Sequence, residues 1–295
     1  MPAVEPVTRA VLRGADMRHS LPSRASRSGM MAPMTTTLAV ANQKGGVAKT
    51  TSVASIGAAL AERGQRVLLV DLDPQACLTF SLGIDPEDLD LSVHEVLTKG
   101  LDPAEVILGT EDAVDLLPAT IDLARAEADL LTRTGREHVV KAALEDLAGY
   151  DWVLLDCPPS LGVLTVAALT AADGVLVPLQ CETLSHRGVG QLLDTVHDVR
   201  RFTNRRLEVW GVLPTLYDGR TTHARTVLDT ISQTYDLAVV EPPIPKTIKF
   251  AEAPAAGRSI LATSRSSKGA QAYREVAANL VARAEAGRTK GRRRG

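Results

Sequence analysis

The stretch ANQKGGVAKTT, residues 41–51, decides how this chain is read. Two adjacent glycines, then Lys49, Thr50 and Thr51, are the residue types that a phosphate-binding turn uses. Gln43 and Ala48 nevertheless stand where the pattern G-x-x-x-x-G-K-[ST] has glycines, so the strict pattern is not met. The flanks supply the missing context. TLAVAN, residues 37–42, reads as a short apolar strand, and TSVASIGAALAERG, residues 51–64, as a helix closed by Gly64. A turn between strand and helix points backbone N–H groups inward and adds the helix's N-terminal positive potential, which together bind phosphate oxygens. In such a turn Gly45 and Gly46 let the backbone curl closely. Lys49 reaches the β- and γ-phosphates, the Thr50 hydroxyl ligates Mg²⁺, and Lys44 adds a second cation. Ala48 is expected in right-handed geometry at the helix entry, where a methyl group fits.

Outward from the loop, apolar runs alternate with helical patterns. QRVLLVDLD (65–73), VDLLP (114–118), WVLLDCPP (152–159), GVLVPLQ (174–180) and LEVWGVLPT (207–215) read as buried strands. Residues 121–147, 161–171, 184–202, 223–234 and 268–285 read as helices between or after them. Strands apolar on both faces, alternating with helices, predict an α/β fold: a predominantly parallel twisted sheet with helices on both faces. With aromatics at only 3% of the chain, the core must be built from Leu, Val, Ile and Ala.

Composition excludes several classes. The net charge of −2 names no polyanionic partner. Cys77, Cys157 and Cys181 form no C-x-x-C pair, which argues against a disulfide framework or zinc site and favours the reducing cytoplasm. His94, His186 and His223 lack metal-ligand spacing. No apolar run reaches the ~20 residues a membrane-spanning helix needs. Residues 1–34, rich in Arg, Ser and Pro with methionines at Met30, Met31 and Met34, are expected to be a disordered arm. Residues 286–295, holding Arg288, Lys290, Arg292, Arg293 and Arg294, are expected to be a basic disordered tail.

Residues 44–51 also follow K-G-G-x-x-K-T-[TS], the deviant Walker A pattern of one branch of P-loop NTPases. VDLDPQ (70–75), LLDCPPSLG (154–162), VPLQCE (177–182) and IPKTIKFAEAP (244–254) extend the match. Over roughly residues 37–282 the chain resembles ParA/Soj-type partitioning ATPases. The resemblance implies an ATPase domain over 35–285 that uses ATP and Mg²⁺. It implies that Lys44 crosses a dimer interface to the partner subunit's phosphates, that Asp73 orients the attacking water, and that Asp156 holds Mg²⁺ through water, with Asp71 bonding to the Mg²⁺ shell. It further implies an ATP-dependent homodimer that binds DNA non-specifically through Arg220, Lys246 and Lys249, a ParB-like stimulating partner, and a cytoplasmic, nucleoid-associated location. Two other readings stay open: an ATP-binding regulatory or scaffold protein with little hydrolysis, suggested by Ala48, and a MinD-like positioning ATPase. The alanine-rich face of residues 269–287 argues against membrane attachment.

Overall fold

A computed structural model of the chain describes residues 35–181 and 185–292; the expected arm at 1–34 lies outside them. The strands are β1 (Thr36–Val40), β2 (Val67–Asp71), β3 (Leu108–Gly109), β4 (Asp115–Leu117), β5 (Trp152–Asp156), β6 (Gly174–Gln180) and β7 (Glu208–Thr215). They form one seven-stranded sheet in the order β3-β4-β2-β5-β1-β6-β7. Only the β3–β4 pair is antiparallel.

The helices are α1 (Lys49–Glu62), α2 (Cys77–Ser81), α3 (Val93–Lys99), α4 (Leu123–Leu131), α5 (Val139–Glu145), α6 (Val163–Ala171), α7 (Ser185–Phe202), α8 (Thr222–Tyr235), α9 (Lys249–Ala255), α10 (Ile260–Thr263) and α11 (Lys268–Arg292). Alternate residues of each strand feed opposite cores. Leu68, Val70, Val153 and Leu155 pack under α3 to α8 with Leu123, Leu164, Leu192 and Ile231. Leu38, Leu69, Leu154 and Leu176 pack under α1 and α11 with Ile56, Leu60, Tyr273 and Val276. Two covered faces explain why these strands are apolar throughout rather than alternating.

Two helical segments depart from expectation. The segment 121–147 is two helices, α4 and α5, because Gly135 takes a left-handed φ of 71° and opens a 3₁₀ turn at Arg136–His138. The closing helix does not end near Glu285 but continues to Arg292, through most of the tail expected to be disordered. Arginines fasten that end. Arg283 donates to the Trp210 carbonyl at 2.9 Å and stacks its guanidinium 5.4 Å above the Trp210 ring. Arg288 donates to the Thr36 hydroxyl at 2.8 Å.

The strand order places the chemistry. β5 lies between β2 and β1, in a register that pairs Asp156 with both Asp71 and Val40. Both carboxylates and the 41–51 loop therefore meet at the carboxyl ends of adjacent strands, where open α/β sheets hold ligands.

Candidate nucleotide-phosphate site

The loop is pinned at both ends before it reaches any ligand. The buried Asn42 donates to the Pro178 carbonyl at 2.7 Å and accepts the Lys44 N–H at 3.0 Å. The buried Thr215 hydroxyl, at the end of β7, donates to the Val47 carbonyl at 2.9 Å. Between these anchors Gly45 and Gly46 are exposed, with no atom within 4 Å of where a side chain would begin. The cradle thus faces open space while Val47 turns into the core.

Ala48 corrects the expectation of right-handed geometry. Its φ of 62° and ψ of 36° are left-handed, immediately before α1. A left-handed alanine costs roughly 1 kcal/mol that glycine avoids. Ala48→Gly is therefore expected to leave stability unchanged or raised by up to about 1 kcal/mol, because glycine's added unfolded-state freedom offsets part of the relief. Urea unfolding checks it; a loss well beyond 1 kcal/mol would contradict the left-handed assignment.

Lys49 is nearly buried and donates to the Lys44 carbonyl at 3.3 Å. Burial lowers its pKa, opposed by the fields of Asp156, Cys157 and Asp73. Asp156 is the unusual group. It is fully buried, and both carboxylate oxygens lack a hydrogen-bond partner. Burial, then the charge of Asp71, pushes its pKa well up; the nearby Thr50 hydroxyl and Lys49 pull the other way without completing a hydrogen bond. A buried carboxylate beside a lysine and a threonine, with both oxygens unsatisfied, fits a divalent cation that carries its own water.

Asp71 differs in kind. Its oxygens accept the Asp73 N–H at 3.1 Å and, from Thr79, the N–H at 2.9 Å and hydroxyl at 2.8 Å. Burial still raises its pKa to about 6. Three protein donors make it a brace for the loop that carries Asp73. Asp73 is partly buried and accepts the Gln75 N–H at 3.0 Å, closing a tight turn ahead of α2.

Sequence reading missed Asn42, Thr215, Thr79 and Glu127. The first two had a signal, a polar residue ending an apolar strand. Glu127 of α4 had none; its Oε1 lies 2.9 Å from where a Gly162 side chain would begin, and burial, then the Asp73 charge, raises its pKa. Cys157 is buried, whereas Cys181 is only partly so.

The basic residues lie beyond β7. Tyr217 and Pro245 form a parallel bridge, and the Lys246 N–H donates to the Tyr217 carbonyl at 3.2 Å, which brings the Arg220 and Lys246 loops together. Arg220 is exposed but engaged, holding Asp218 through Nε and Nη2 at 2.9 Å each and pushing its pKa down to about 2. Lys246 and Lys249 are exposed, Lys249 opening α9.

A family model described as an AAA domain matches residues 35–209. The sporulation initiation inhibitor protein Soj of Bacillus subtilis is 42% identical over 247 residues, covering 83% of this chain and 98% of Soj. The chain belongs to the ParA/Soj family of partitioning ATPases. The chromosome-partitioning ATPase Soj of Thermus thermophilus is likewise 44% identical, over 84% of this chain and 96% of that protein. Among solved structures, a Mycobacterium smegmatis protein described as cobyrinic acid a,c-diamide synthase, with bound ADP and magnesium, is 58% identical with a TM-score of 0.78. It covers 86% of this chain and 97% of its own, and a further structure of it holds an ATP analogue with magnesium. This ParA/Soj chain accordingly has the expected P-loop fold, a mostly parallel sheet with helices on both faces.

Proposed function

We propose that this ParA/Soj-family chain is an ATP-hydrolysing switch for DNA segregation. One observation carries the hydrolytic part: the unsatisfied, buried Asp156 carboxylate beside Lys49 and Thr50 at the end of an open glycine cradle. Thr50 and Asp156 would hold Mg²⁺, with Asp71 bracing the neighbouring loop rather than binding metal directly. The ion supplies charge neutralisation on the triphosphate. Backbone N–H groups of residues 45–51 and the Lys49 ammonium bind the phosphates, and Asp73 orients water for in-line attack on the γ-phosphorus. The bond to the β–γ bridging oxygen breaks, releasing ADP and phosphate. Lys44 of a second copy completes the site, so ATP favours a homodimer and ADP a monomer. A ParB-like protein stimulates turnover, and the protein resides in the cytoplasm on the nucleoid. No described helix is long and apolar enough to cross a membrane.

Arg220, Lys246 and Lys249 contact phosphates without reading bases, so binding ignores sequence. With several phosphates neutralised, raising salt two- to fourfold costs about one to several decades of affinity. Reversing Arg220 and Lys249 to Glu is expected to remove DNA binding while ATP-dependent dimerisation persists. Gel shifts on two unrelated duplexes, with ATP, with ADP and without nucleotide, test it. Preference for one duplex, or equal binding in all three states, sinks the segregation reading.

The 58% identity to the Mycobacterium smegmatis protein favours a second reading, ATP-driven amide synthesis. In that reading a substrate carboxylate takes the γ-phosphoryl group and ADP leaves, and a nitrogen donor then displaces phosphate to form the amide. Phosphate release that rises with DNA supports the switch. Release that requires cobyrinic acid and a nitrogen donor supports the synthase.

A further inference from the structure

Helix α9, which opens with Lys249, is held on two sides by contacts that lead back to the candidate phosphate site. Gly257, just past α9, lies against Gly83, just past α2. A Cβ added to Gly257 would stand 2.7 Å from the Gly83 Cα, and one added to Gly83 would stand 3.1 Å from the Gly257 carbonyl oxygen. Helix α2 follows the Asp73 turn and is tied through Thr79 to Asp71. On the other side Phe250 meets Tyr273 of α11 edge-on, with ring centroids 5.8 Å apart. The buried Tyr273 hydroxyl shares a 3.0 Å hydrogen bond with Ser52 in the first turn of α1.

We infer that α9 reads the nucleotide state within one subunit. A shift of the Asp73 turn, or of the first turn of α1, passes through these contacts to Lys249 and sets DNA affinity, in addition to any effect of pairing two subunits. The Gly83–Gly257 contact is backbone on backbone, so no flexible side chain absorbs a displacement. Ser52 and Tyr273 are buried and Phe250 is partly buried, packed against the same core, and both routes end on the same short helix. This inference rests on the DNA-segregation reading and adds its internal regulation.

The test uses full-length Gly257→Ala and Tyr273→Phe, a non-hydrolysable ATP analogue, and ADP. Gly257 has a φ of 67°, so alanine there is strained as well as crowded. Tyr273→Phe keeps the packing and removes only the bond to Ser52, so it decides the matter if the glycine variant fails to fold. The ratio of DNA affinities, analogue over ADP, is expected to fall about tenfold in Gly257→Ala and about threefold in Tyr273→Phe. Nucleotide affinity and the analogue-dependent dimer, followed by light scattering, stay as in wild type. Wild-type ratios in both variants overturn the coupling and leave the DNA reading intact. A ratio lost together with the dimer assigns the effect to pairing and also overturns it. A wild-type ratio of one removes the parent reading and this inference together.

Discussion

Lys49→Ala is expected to abolish ATP binding, whereas Lys44→Ala retains binding and loses turnover by about 10³-fold or more. The two lysines sit differently in the loop, Lys44 partly buried and Lys49 buried. Lys49 is nearly buried, its ammonium held against the Lys44 carbonyl and in the fields of Asp156 and Asp73. Removing it leaves those carboxylates facing a triphosphate without their nearest cation, and repulsion then opposes binding. Lys44 fixes the loop through its backbone N–H, bonded to Asn42, and alanine preserves that bond. Under the proposed function alanine also removes the charge offered to a second copy, which matters in the transition state, where charge on the transferring group is spread over its oxygens. Titration with a fluorescent ATP analogue and steady-state phosphate release separate the two effects. Equal loss of nucleotide affinity in both variants would make Lys44 an ordinary loop cation.

Asp156→Asn should make the nucleotide-free protein more stable while removing Mg²⁺-dependent hydrolysis by about 10²-fold or more. Asp156 and Asp71 are buried neighbours, paired in register on β5 and β2. Burial raises both pKa values; the Asp71 charge adds to the rise of Asp156 and the Asp73 charge to that of Asp71, which reaches about 6. A carboxylate whose folded pKa is raised binds protons more readily folded than unfolded. Its stabilising contribution is complete below the unfolded value near 4 and is lost as pH rises through the folded value. The wild-type protein without nucleotide therefore weakens between about pH 4 and 6, and further as Asp156 ionises. The carboxamide carries no charge to desolvate, so at pH 8 the variant should melt about 3–8 °C higher than wild type. Mg²⁺ with ATP should stabilise wild type strongly and the variant little. A variant that melts lower than wild type at pH 8 would mean that Asp156 has a protein partner after all.

The fold was legible because its strands are apolar on both faces and its loop joins strand to helix. Lys44, Lys49, Thr50, Asp71, Asp73 and Asp156 each end or follow an apolar run, and the parallel sheet brings such ends together. Ala48 was misjudged because its backbone geometry is imposed by the pinned Val47 carbonyl and the start of α1, neither visible in a local pattern. The end of α11 was misjudged because composition favours a solvated basic tail, while Thr36 and Trp210, distant in sequence, supply partners for its arginines. The bracing role of Asp71 was not legible in a local pattern. Its three donors come from Thr79 and a turn that no spacing rule encodes.

The bonds that shape the phosphate loop also set a timetable for biosynthesis. The loop is among the first parts of the described fold to leave the ribosome, yet its anchors arrive late. Asn42 waits for Pro178 across 136 residues, Val47 for Thr215 across 168, and Ser52 for Tyr273 across 221. The Thr36–Arg288 bond spans 252. Contacts this distant cannot be rewarded until the intervening chain exists, so a nascent or truncated chain carries the motif without the site. An interrupted translation product would thus lack the shaped phosphate loop, and only a chain that extends past Tyr273 and Arg288 can hold it fully.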